Sequence, residues 1–249
     1  MSDTSSAFYR PRFPIAPRLQ DRLGELFRRK AAQPRVFDLL AQAQKLAGEA
    51  YEHQTDKGSD RTLWHHIDAV DAFVVKQYQG QVSPDRLNYL RALAILHEVL
   101  EIENSQGLPV WTPRHLLHRG FPAAFVASLD RLARKRWQGY LVYIHELAQD
   151  IDAAMLKICD LGVNTDPARA ANDSALIKAS LQFKKYTLYP CSLEYLREVV
   201  AGRIDPKIVS PADFIVNSGA LAAKVTDWDA FRREARATPP KPVGWWFCL

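Results

Sequence analysis

The sequence predicts an all-α fold, and three observations carry the prediction. From Val36 to Val200 apolar residues return at helical spacing, run after run. The breaks between runs hold proline, glycine and short polar side chains that start and stop helices. Nothing in that span reads as a strand, and a composition of 47% hydrophobic and 24% charged residues is that of a globular domain with a sizeable core.

Residues 1–34 read as an N-terminal arm. The prolines of Arg10-Pro11-Arg12-Phe13-Pro14-Ile15-Ala16-Pro17-Arg18 forbid regular helix, and a short basic helix follows from Leu19 to Lys30. The helical domain, residues 35–201, opens with Val36 to Gln54, where Leu39, Ala43, Leu46, Ala47 and Ala50 share one face; Asp56-Lys57-Gly58-Ser59-Asp60 breaks the pattern. Asp60 or Thr62 offers a cap for a helix from Leu63 to Tyr78, with Ile67, Val70, Phe73 and Val74 as its apolar stripe. Ser83-Pro84 supplies the cap and first residue of a helix that runs on through His97 and Glu101. Thr112-Pro113 opens a short helix, Phe121 to Lys135 forms another, and Tyr140 to Ala148 and Asp152 to Gly162 form two more. Ala175 to Val200 is a long amphipathic stretch that Pro190 kinks or splits. Residues 202–249 form a C-terminal extension: Ile208-Val209-Ser210-Pro211 and Phe214-Ile215-Val216 are β-compatible, and Trp228 to Ala237 is helical behind Thr226 and Asp227. Pro239-Pro240-Lys241-Pro242 and Trp245-Trp246-Phe247 read as an extended segment that docks by its aromatics or waits for a partner.

Several function classes fall away. No apolar run approaches the ~20 residues a membrane span needs, and Met1 to Ser6 lack a basic stretch followed by an apolar one, so the expected location is cytoplasmic with no membrane partner. Cys159, Cys191 and Cys248 show no paired spacing and read as reduced thiols. A net charge of +5 suits a phosphate-rich small ligand but is too small an excess to indicate nucleic acid. Oligomeric state is open.

Chemistry enters at Ala92-Leu93-Ala94-Ile95-Leu96-His97-Glu98-Val99-Leu100-Glu101, an apolar run that carries an imidazole and two carboxylates. At about 100° per residue, Glu98 lies roughly 100° from His97 and Glu101 about 40°, so one side of a helix gathers all three. Asp160, with Asn164 one turn later, interrupts the apolar helix from Ala153 to Val163, and His66 opens a third helix. A histidine, a histidine–carboxylate pair and a distant aspartate, each on its own helix, form a plausible ligand set for a divalent cation.

These segments resemble the metal-binding motifs of HD-domain metal-dependent phosphohydrolases, most closely the (p)ppGpp hydrolase branch of RelA/SpoT type, to which the small alarmone hydrolases belong. The resemblance runs from Val36 to Tyr195. Ala47 to Lys57 is similar to that branch's opening helix and basic turn, and His66-Ile67-Asp68-Ala69-Val70 to its His-Pro-x-x-Val. Leu96-His97-Glu98-Val99-Leu100-Glu101 looks like its Leu-His-Asp-x-x-Glu-Asp, and Lys157-Ile158-Cys159-Asp160-Leu161-x-x-Asn164 like its Lys-x-x-Asp-x-x-x-Asn. The resemblance implies an HD-type helical bundle and a divalent metal, Mn²⁺, on His66, His97, Glu98 and Asp160. It implies Glu101 as the catalytic acid that orients water, and Lys57, Arg61, Asn164 and Tyr186 around a phosphorylated nucleotide whose 3′-pyrophosphate is removed. Three positions depart from the branch: Glu98 replaces its aspartate, Ile102 its second acid, and Asp56 stands where an arginine is expected. Two alternatives therefore stay open: a degenerate HD domain that binds a nucleotide or protein without catalysis, and another HD-type nucleotidase.

Overall fold

A computed structural model describes residues 36–56, 61–166 and 184–236. Local signals start most of its helices. Ser83 Oγ accepts the Arg86 N–H with Pro84 as the first helical residue, Thr112 Oγ1 accepts the His115 N–H, and Asp150 Oδ1 accepts the N–H groups of Asp152 and Ala153. The described residues are all-α, with eleven α-helices and no strand. They are α1 (Val36–Tyr51), α2 (Trp64–Tyr78), α3 (Pro84–Leu96), α4 (Pro113–His118), α5 (Ala123–Leu132), α6 (Tyr140–Leu147), α7 (Ile151–Asn164), α8 (Tyr189–Val200), α9 (Pro211–Asn217), α10 (Gly219–Ala222) and α11 (Trp228–Glu234). A 3₁₀ turn, Val99–Glu101, follows α3, and a π turn, Lys184–Leu188, precedes α8. None of these helices is long and apolar enough to cross a membrane.

Helix α3 is the centre of the bundle, packed against α1, α2 and α7, and α7 in turn packs on α2 and α8. Leu90, Leu93 and Leu96 of α3 meet Ile67, Val70 and Val74 of α2 and Leu156 and Leu161 of α7 in one buried cluster. Polar links set the register of these three helices. Arg91 clasps both carboxylate oxygens of Asp71 at 2.9 and 2.8 Å, and Arg86 donates two bonds, 3.0 and 2.7 Å, to Asp152 Oδ1. Tyr78 donates to the Met155 carbonyl at 3.0 Å. Gly162 lets α7 approach α2 closely, since a Cβ there would stand 2.8 Å from the Phe73 ring.

The segment after Gly202 shares this core. Ile215, Leu221, Val225 and Phe231 join the same apolar cluster, with α9 against α6 and α8 and α11 against α6. Glu234 closes the joint: its Oε2 accepts the Tyr140 N–H at 2.6 Å and an Arg134 N–H at 3.3 Å. Gly139 is required there, because a Cβ would land on the Glu234 and Arg236 carbonyls.

Three sequence expectations are corrected. The run after Gly202 is helical, not β-compatible: Ser210 caps Asp213 and Pro211 opens α9, which takes in Phe214-Ile215-Val216. Helix α3 ends at Leu96, so His97 is its C-cap and Glu101 sits in the 3₁₀ turn. Helix α2 starts at Trp64 with no side-chain cap; Thr62 Oγ1 instead meets His65 Nδ1 at 3.2 Å, and Asp60 lies outside the described residues. The long stretch to Val200 is split at Pro190 as expected: the π turn ends at Leu188, and Pro190 sits in the first turn of α8, where its missing N–H costs nothing. Residues 1–34, 175–183 and 239–249, to which the arm, the start of the long helix and the aromatic tail were assigned, lie outside the described residues.

Candidate metal centre

The fold brings His66 from α2, His97 and Glu98 from the end of α3, and Asp160 from α7 together. The two imidazoles are buried, and their Nε2 atoms stand 3.1 Å apart. His97 Nδ1 lies 2.6 Å from the Ala94 carbonyl, an acceptor, so the proton of the neutral ring sits on Nδ1 and Nε2 presents a lone pair. Metal-ligating histidines are held in this way, by a backbone carbonyl on the ring's other nitrogen. Glu98 Oε1 lies 3.9 Å from His66 Nε2 and 3.7 Å from His97 Nε2, and His66, His97 and Glu98 present ligand atoms within 4.8 Å of one another. Asp160 Oδ1 adds a carboxylate oxygen 3.3 Å from His66 Nε2 and 3.9 Å from His97 Nε2.

These distances fit a shared cation. Ligands about 2.1 Å from one octahedral ion are separated by roughly 3.0 Å when adjacent and 4.2 Å when opposite. The separations of the two imidazole nitrogens from each other and from Glu98 Oε1 and Asp160 Oδ1, 3.1 to 3.9 Å, fall in that interval, and His66, His97 and Glu98 form the tightest group. The donor set, two imidazole nitrogens and two carboxylate oxygens, suits a divalent transition ion.

Asp160 is the most constrained of the four. Lys157 Nζ holds its Oδ2 at 2.7 Å, and Asn164 Nδ2 donates to its Oδ1 at 2.6 Å. Burial works against the carboxylate, but Lys157, then His66 and His97, outweigh it and hold the carboxyl well below its ordinary range. Burial likewise opposes the Lys157 ammonium, and Asp160, aided by Tyr143 and Tyr140, keeps it charged; the Nζ sits 5.3 Å from the centre of the Tyr143 ring. His97 goes the other way: burial lowers its pKa against the pull of Asp160 and Glu98, which favours the neutral ring a cation needs.

The remaining sequence candidates are dispersed. Glu101 is outside the cluster and accepts the Arg134 N–H on Oε1 at 3.2 Å. Asn164, assigned to the nucleotide, is the last residue of α7 and touches Asp160. Arg61 is exposed and its carbonyl accepts the Asp56 N–H at 2.8 Å; Tyr186 is 62% exposed on the π turn; Lys57 lies outside the described residues. Of the departures from the HD pattern, Ile102 and Asp56 are both buried. Cys159, next to Asp160, is buried, and burial pushes its thiol up to about 12, so it is a packing residue. Lys157 was legible as a neighbour of Asp160 three residues away on one helix, but its ion pair to that carboxylate was not assigned.

No family model and no curated protein matches this chain.

Proposed function

We propose that the chain is a metal-dependent phosphohydrolase of HD type acting on a phosphorylated nucleotide, with removal of a 3′-pyrophosphate from an alarmone as the specific reaction. The observation that carries the reading is the buried pair of imidazole nitrogens 3.1 Å apart, flanked by the carboxylates of Glu98 and Asp160. The Nε2 lone pair of His97 faces His66 Nε2 in a dry site, and a proton or a cation between the two nitrogens satisfies it.

A divalent cation held by His66, His97, Glu98 and Asp160, Mn²⁺ on the resemblance, would supply positive charge that acidifies water and polarises a phosphoryl oxygen. The chain's own residues do the rest. Lys157 and Asn164 fix Asp160 so that Oδ1 faces the imidazoles, and the Ala94 carbonyl fixes His97. Lys157 also offsets one of the two carboxylate charges, which leaves room for an anionic substrate. The proton carrier of this scheme is Glu101, oriented by the Arg134 N–H.

Purified protein with Mn²⁺ should release pyrophosphate from ppGpp, and His97→Ala should abolish the release. No turnover of any nucleotide with any divalent metal overturns the enzyme reading. A second reading, a binding module without catalysis, is favoured by two observations: Glu101 is engaged by the backbone of Arg134, and the position after it is the buried Ile102. It predicts nucleotide binding, seen by calorimetry, with no product formed.

A further inference from the structure

Helices α5 and α6 and the loop between them line a cavity of about 410 Å³ that contains none of the four candidate metal ligands. Sites for small molecules run from roughly 300 to 1,000 Å³. The walls of this one are already fixed. The buried Gln138 side chain ties the loop to α6, accepting the Lys135 N–H on Oε1 at 3.0 Å and donating to Glu146 Oε2 at 2.5 Å. Tyr143, also buried, donates its hydroxyl to the Leu132 carbonyl at 2.6 Å. A ligand entering here meets side chains that have already lost their freedom, which lowers the entropic cost of binding.

Two bases and two acids line the cavity, and they are paired unevenly. Lys135 Nζ and Asp130 Oδ1 form an ion pair at 2.5 Å. Arg131 and Glu146 are engaged differently: Arg131 Nη1 donates to the Glu146 backbone carbonyl at 2.9 Å, while the Glu146 carboxylate takes the Gln138 amide. One cation and one anion thus stand at the same cavity, both exposed, with a neutral partner each. A guanidinium has five N–H donors in a fork that matches a carboxylate, and a carboxylate has about four acceptor positions, enough for an ammonium group besides the amide.

This arrangement selects among ligands. A phosphate or other anion would face the Glu146 and Asp130 carboxylates, and a simple cation would face Arg131 and Lys135. A molecule with both charges meets its complement at each end. Ala127, Ala133 and the Tyr143 ring supply the apolar part of the lining.

We propose that the cavity binds a free α-amino acid with an apolar side chain, its carboxylate on the Arg131 guanidinium, its ammonium group on the Glu146 carboxylate and its side chain against Ala127, Ala133 and Tyr143. The site does not depend on the metal centre, although the two adjoin along the chain: Ala133 and Lys135 flank Arg134, whose N–H holds Glu101.

Calorimetric titration of the full chain with L-leucine, L-methionine and L-phenylalanine tests the proposal. At least one of the three should bind saturably. Its amide, which lacks the carboxylate, and its N-acetyl form, which lacks the ammonium group, should each bind roughly 10- to 100-fold more weakly, the loss of one charge-assisted hydrogen-bonded pair. Arg131→Ala should lower affinity by the same factor, and Ala127→Leu should block binding by filling the space. Both positions are exposed, so both variants should melt with wild type. No saturable binding of any of the three, equal binding of the amide or the N-acetyl form, or wild-type affinity in either variant overturns the proposal and leaves the metal centre standing.

Discussion

Two carboxylates face the same pair of imidazoles from opposite kinds of backbone. Asp160 sits within α7, buried, with Lys157 on one oxygen and Asn164 and His66 on the other. Glu98 lies one residue beyond the α3 cap, its side chain 16% exposed and its oxygen 3.7 Å or more from either ring. The first is held within a helix by Lys157 and Asn164; the second stands where the 3₁₀ turn begins, with part of its side chain open to solvent. Fold stability and ligand affinity are therefore expected to separate: changes at Asp160 damage both, and changes at Glu98 damage affinity alone.

The largest effect should come from Asp160→Ala, which leaves the Lys157 ammonium in a largely buried site without its carboxylate. Breaking such a pair from one side costs about 3–5 kcal/mol, measurable by urea unfolding at pH 7. A loss under about 1 kcal/mol, the range of an exposed pair, would show that the α7 side is no more rigid than the Glu98 side.

Lys157→Met sharpens the same contrast through pH. The folded Asp160 carboxyl is held well below its ordinary value. Its stabilising contribution is thus present above the unfolded pKa, about 3.9, and lost as pH falls through the folded value. Without the Lys157 charge the folded value rises, so the variant should unfold in acid at higher pH than wild type when followed by circular dichroism.

His97 supplies a milder dependence in a different window. Burial lowers its folded pKa, so its contribution is intact above the unfolded value of about 6.5 and fades as pH falls below it. Between pH 7 and 5 the wild type should lose more stability than His97→Leu in parallel urea titrations. A constant gap would mean that the folded ring titrates as it does in the unfolded chain.

The smallest effect on stability belongs to Glu98→Gln, within about 0.5 kcal/mol of wild type without metal, as for a change at a partly exposed site. The rise in melting temperature on adding Mn²⁺ should nevertheless shrink. A variant that melts well below wild type before any metal is added would place Glu98 in the scaffold and erase the distinction between the two sides.

What was legible in the sequence follows the range of the interactions involved. Ser83-Pro84, Thr112-Pro113 and Asp227 announce helix starts because cap and backbone donor lie three residues apart. Ser210-Pro211 carries the same signal, but the β-branched residues on either side of it led to the opposite reading. The end of α3 had no such marker: Leu96-His97-Glu98-Val99 contains neither glycine nor proline, and the helix stops where His97 serves as its C-cap and the 3₁₀ turn begins. Of the centre, the residue types and their helices could be read from spacing. The Arg134 N–H that takes up Glu101 is 33 residues away in sequence, and no local spacing announces it.

The joint at Glu234 ties the far end of the described chain to this chemistry. Glu234 grips the Arg134 guanidinium and the first peptide of α6, and the Arg134 peptide grips Glu101. A chain cut before Trp228 would retain His66, His97, Glu98 and Asp160 and lose the Glu234 carboxylate, leaving the Arg134 guanidinium with the Gln138 carbonyl. Helix α11 thus bears on Glu101 through one arginine, over links of 100 and 33 residues of sequence.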